Sequence, residues 1–124
     1  MKLSPRAQQF LARQQEIYLR SLPDKKARLE KTWNAIKREG WETELAETLQ
    51  MEIHRLSGSA GSYGFNSLGK AAQRLDLMMA DSSFFKNPGA EFDAKFGGLM
   101  DALFVAFEEG IKGSAEGFGL EPKP

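Results

Sequence analysis

One histidine occurs in the 124 residues, and the small residues around it form a setting in which an imidazole could act as a nucleophile. It lies in Ile53-His54-Arg55-Leu56-Ser57-Gly58-Ser59-Ala60-Gly61-Ser62-Tyr63-Gly64-Phe65. Leu45, Leu49, Ile53, Leu56, Ala60 and Tyr63 recur at helical spacing and fall within an arc of roughly 80°, which predicts an amphipathic helix. His54 points about 145° from the centre of that arc and is predicted to face water. Ser57, Gly58 and Gly61 share its side of the helix. Glycine in a helix interior costs about 1 kcal/mol relative to alanine, so two of them on one face need a reason. On an outward face the reason is clearance, which lets another macromolecule approach the ring. An exposed, unpaired imidazole offers a neutral nitrogen as nucleophile.

The same stretch resembles the signature of histidine phosphotransfer (HPt) domains, His-x-Leu-Lys-Gly-small-small-x-x-apolar-Gly. His54, Leu56, Gly58, Ser59, Ala60, Tyr63 and Gly64 match it, and Ser57 stands where the family most often has lysine. The resemblance implies that His54 accepts a phosphoryl group from a receiver-domain aspartate and relays it to another receiver, or back. It implies receiver domains or a hybrid histidine kinase as partners. Mg²⁺ is expected in the partner receiver, and no cofactor is expected on this chain. Family lysines at position 57 supply positive charge; Ser57 supplies only a hydrogen bond, and Arg55, about 100° round the helix, is the expected partial substitute. An exposed charge contributes only about 0–1 kcal/mol, so weaker transfer rather than its loss is expected. The alternative is a phosphorylation-inactive module that binds a receiver or kinase as a regulator. Gln50 and Met51, one turn before His54, complete the expected docking surface with Arg55, Ser57, Gly58 and Gly61.

Other chemistries fit less well. A hydrolytic triad needs nucleophile, base and carboxylate converging in a pocket, and Glu47 and Glu52 are not spaced as a relay with His54. One histidine without cysteine has none of the usual metal-ligand spacings, and no phosphate-binding glycine loop follows a strand. A carrier without self-contained catalytic activity is expected. The 17 basic and 17 acidic residues balance, which argues against nucleic-acid binding through phosphate neutralisation. The absence of cysteine excludes disulfides and fits a reducing cytoplasm. No apolar run is long enough to span a membrane, and no signal-peptide pattern opens the chain. Met1 gives the expectation of a free-standing protein, and a monomer is expected.

The elements that must hold His54 in place read as helices throughout. Ser4-Pro5 has the form of an N-cap and a first helical position. Ala7, Phe10, Leu11, Gln14, Ile17 and Tyr18 form the face of a first helix, which Pro23 is expected to break, with Asp24 at the start of the next. Leu29, Trp33 and Ile36 stripe the second helix, ended by Gly40. The His54 helix starts near Thr43 and ends at Gly64. Asn66 or Ser67 is expected to cap a fourth helix burying Leu68, Ala71, Ala72, Leu75 and Met79, with Lys70, Gln73 and Arg74 outward. Residues 81–89 read as a loop. A fifth helix from Ala90 to Lys112 carries Phe92, Phe96, Leu99, Leu103, Phe107 and Ile111. The basic run Lys25-Lys26-Ala27-Arg28 reads as a solvated face. These segments predict an all-α, up-down four-helix bundle with an additional N-terminal helix over residues 1–112, and a flexible tail over 113–124.

Overall fold

Four amphipathic stripes of helical period leave one economical arrangement, in which each helix turns its apolar side to a shared axis. The computed structural model describes residues 3–81 and 89–113 and has this arrangement. Helix α1 spans Pro5–Glu39, α2 Thr43–Ser59, α3 Asn66–Ala80 and α4 Ala90–Lys112, with a 3₁₀ turn at Gly61–Tyr63. Helix α1 packs on α2 and α4, and α3 closes the square between them. The expected loop at 82–88 and tail at 114–124 lie outside the described residues.

The end signals act as their chemistry requires. Ser4 accepts the Ala7 N–H at 3.1 Å and starts α1. Gly40 (φ 88°) stops it, donating its N–H to the Ile36 carbonyl at 2.7 Å. Gly64 (φ 87°) takes the left-handed conformation that turns the chain out of the 3₁₀ segment. Helix α3 begins at Asn66 with Phe65 at the cap position and no side-chain cap, in place of the expected Asn66 or Ser67 cap. Phe65 is instead held by burial, being 2% exposed.

Pro23 does not break the chain into two helices. It lies inside the continuous 35-residue α1, so the additional N-terminal helix is the first part of α1. Proline in a helix interior costs about 3 kcal/mol. The buried stripe Tyr18, Leu22, Leu29, Trp33 and Ile36 keeps one phase across it. Burial of a large apolar side chain contributes about 1.5–3 kcal/mol, so Tyr18 and Leu22 together offset the proline.

The core runs the length of the square. Leu49, Ile53 and Leu56 of α2 meet Leu68, Leu75 and Met79 of α3 and Met100, Leu103 and Phe107 of α4. At one end Trp33, Trp41, Phe92 and Phe96 form an aromatic cluster, and Trp41 donates from Nε1 to Asp93 at 2.9 Å. At the other, Tyr18 stacks on Tyr63 with ring centres 4.7 Å apart and shares a 2.7 Å hydrogen bond with the Ser59 hydroxyl. Lys26 ties α1 to α4 through Glu108 at 3.0 Å. Among the described residues no helix is long and apolar enough to cross a membrane.

Candidate functional site

The apolar side of α2 is fixed by Leu49, Ile53 and Leu56 in the core, and this turns His54 outward with its side chain 74% exposed. The ring is not unpaired, as the sequence had led one to expect. Its Nδ1 lies 3.0 Å from Oδ2 of Asp76 on α3. A carboxylate facing Nδ1 holds the proton there, so Nδ1–H donates to Asp76 and the Nε2 lone pair points to solvent. The Ser57 hydroxyl sits 2.8 Å from the His54 carbonyl oxygen and 3.3 Å from Asp76 Oδ2. Its single proton is shared between two acceptors, and the closer carbonyl of its own helix takes the larger part of it.

The antiparallel register of α2 and α3 creates this pairing. Gln50 donates to the Met79 carbonyl at 3.2 Å one turn before His54. Beyond Ser57 the two backbones converge, and a Cβ on Gly69 would lie 3.1 Å from the Gly61 nitrogen. Gly69 is thus required by close helix approach. Gly58 and Gly61 are different: a Cβ at either would meet nothing within 4 Å, so their bareness leaves open ground beside the imidazole. Two shallow depressions flank the ring. Glu47, Gln50 and Met51 line one with His54 and Asp76; Ser57, Gly61, Gly69, Lys70 and Gln73 line the other.

The structure brings Gln50, Met51, Ser57, Gly58 and Gly61 around His54 and separates Arg55 from them. Arg55 lines a groove between α1 and α2 with Lys25, Arg28, Leu29, Glu52 and Leu56. Of the three polar residues read as outward on α3, Lys70 and Gln73 share the depression with Ser57, and Arg74 does not line it. Sequence reasoning missed Asp76. Its signal was its being the one acidic residue between positions 66 and 80, but pairing with His54 depends on helix register. Among the described residues no three His, Asp or Glu side chains converge in a way that could hold a metal ion.

The groove beside Arg55 also contains a carboxylate under tension. Burial pushes the Glu52 carboxyl above its ordinary range, opposed by the Thr32 hydroxyl at 3.2 Å and by Arg28 and Arg55. The folded chain then holds the Glu52 proton to higher pH than the unfolded chain does. The folded state binds more protons in that window, so this group's contribution to stability falls as pH rises through it. Glu52→Gln, which keeps an acceptor for Thr32, is expected to raise stability relative to wild type around pH 7 and to lose that advantage around pH 4. Denaturant midpoints at the two pH values check this; an advantage that grows in acid contradicts it.

A family model described as Hpt domain matches residues 15–103, a span that takes in His54, Ser57, Lys70 and Asp76 and reaches well into α4. Neither the curated proteins nor the solved structures yield a significant match. The matched span covers most of the all-helical bundle, and the chain belongs to the Hpt domain family, whose members carry phosphoryl groups on histidine in phosphorelays and work with receiver domains and histidine kinases.

Proposed function

We propose that His54 is the phosphoryl-accepting residue, taking the group from a receiver-domain aspartate and passing it to a second receiver or back. The observation that carries this reading is the exposed imidazole with Nδ1 held by Asp76 and Nε2 open to solvent. In the forward step the Nε2 lone pair attacks phosphorus. An Nε2–P bond forms as the acyl phosphate P–O bond breaks, and the partner's carboxylate leaves. Asp76 opposes the positive charge that develops on the ring, and Gly58 and Gly61 let the partner's site close on it. Mg²⁺ and the cationic stabilisation of the transferring group belong to the partner. Ser57 brings no charge, and Lys70 in the same depression supplies the cation that the lysine at position 57 gives other family members. The chain is a carrier and not a self-contained enzyme, acting in the cytoplasm as a monomer.

Transfer from a panel of phosphorylated receiver domains tests this. Acid-labile, alkali-stable label on the chain is the expected result; receiver binding without label from any donor replaces the carrier with a binding module. Asp76 acts through His54 as a positioning residue. A hydrogen bond to a charged group contributes about 1.5–3 kcal/mol, and the exposure of the ring discounts it to about a tenfold effect on rate. Asp76→Asn is expected to slow label uptake about tenfold and to shift the neutral ring toward the other tautomer, which ¹⁵N chemical shifts of the single histidine reveal. An unchanged tautomer with unchanged rate removes the role.

A further inference from the structure

The basic run Lys25-Lys26-Ala27-Arg28 is not one solvated face. Lys26 turns to α4 and meets Glu108 at 3.0 Å, with Glu30 of its own helix at 3.2 Å. Lys25 and Arg28 turn the other way, to the groove between α1 and α2. A step of three residues keeps these two within about 60° of one another on the helix, and Lys26 falls outside that arc. Arg55 and Glu52 of α2 complete the rim, and the buried Leu29 and Leu56 form the floor. The aliphatic stems of the lysine and the arginines extend the apolar wall. The recess measures about 170 Å³, enough for a body the size of one six-membered ring.

Three cations border this recess against one carboxylate. Lys25 donates to the Ser21 hydroxyl at 3.0 Å and lies 5.1 Å from the centre of the Tyr18 ring, both neutral partners. Among the described residues no carboxylate comes within ion-pair distance of Arg28 or Arg55. Glu52 feels both guanidinium charges without pairing with either. Its Oε1 is engaged by Thr32 Oγ1 at 3.2 Å, and burial favours its uncharged form. It is therefore a poor internal counter-ion. An unpaired arginine on open ground is simply solvated; these two stand over an apolar floor, where a ligand can displace the water.

We propose that this groove is a binding site for a small organic phosphate. Arg28 and Arg55 take its phosphoryl head from two different helices, and a ring-sized apolar body lies on Leu29 and Leu56. The guanidinium group presents a planar fork of donors that fits phosphate oxygens, and each bond to the head is charge-assisted. The excess of positive charge favours a dianionic head over a single carboxylate. Lys25 adds to the attraction from the side. The site lies about 100° round α2 from the imidazole of His54, and its occupation does not depend on the carrier reading.

The test titrates phenyl phosphate into the full-length protein and follows ¹H–¹⁵N NMR signals, including those of the arginine Nε–H groups. Saturable shifts at Arg28, Leu29, Arg55 and Leu56 are expected, with a Kd of about 1 mM and about tenfold weaker binding of inorganic phosphate or benzoate. Arg28→Gln and Arg55→Gln should each weaken binding roughly fivefold, and the two together should abolish saturation. Both positions are exposed, so circular dichroism melts should match wild type. Glu52→Gln removes the one opposing charge and should tighten binding about twofold, which tests the site even if the double variant melts early. Inorganic phosphate binding as well as phenyl phosphate overturns the apolar floor, and benzoate binding as well overturns the phosphate class. Shifts centred on His54 and Lys70, no saturable shift at all, or a double variant that binds like wild type overturns the site itself.

Discussion

His54→Gln is expected to abolish label uptake from every phosphorylated receiver while leaving the fold unchanged. His54 is the one histidine in the chain, so no second imidazole can take over the chemistry. Glutamine keeps a polar group opposite Asp76 but has no nucleophilic nitrogen lone pair, because the amide nitrogen is delocalised into its carbonyl. The side chain replaced is 74% exposed and outside the core, so the change in stability should stay within about 0.5 kcal/mol. Label retention by acid and alkali treatment, read beside a thermal melt, checks both halves. Acid-labile, alkali-stable label on the glutamine variant would sink the assignment of His54.

Phe96→Ala should produce the largest loss of stability, about 3–5 kcal/mol. The ring is fully buried at the end of the bundle, with centres 5.5 Å from Trp33, 5.2 Å from Trp41 and 5.7 Å from Phe92. Truncation removes apolar burial and the edge and stacked ring contacts together, and three large rings cannot all close the void. Against a total of about 5–15 kcal/mol for an ordinary domain, much of the stability would go. Denaturant unfolding followed by tryptophan fluorescence measures it directly, because Trp33 and Trp41 both report on the cavity. Phe96→Leu should recover more than half of the loss. A loss under about 1 kcal/mol for the alanine variant would mean that the cluster repacks freely.

Much of the fold is local in origin and was legible. The period of Phe92 to Ile111 located α4 with the bounds that the structure has, and Gly40 stops α1 with a positive φ; the His54 helix, expected to run to Gly64, ends at Ser59, and Gly64 closes the 3₁₀ turn that follows. The outward aspect of His54 followed from the phase of Leu49, Ile53 and Leu56 alone. Pro23 was misread for the opposite reason. Its penalty is local, but the burial of Tyr18 and Leu22 that outweighs it is tertiary.

The amino-acid sequence by itself determined that there are amphipathic helices, which face of each is apolar, and that one bare imidazole stands on a polar face. Periodicity along a single helix encodes these without reference to any other segment. Only the tertiary structure decided which polar residues became neighbours. Asp76 meets His54, and Arg55 turns to Arg28 and Glu52, because α2 lies antiparallel to α3 on one side and against α1 on the other. Phe10 and Ile17 share the period of buried residues yet stay exposed, because they lie to one side of the arc that Tyr18 and Leu22 turn into the core. Register between helices is a property of the packed assembly, and no spacing within one segment contains it.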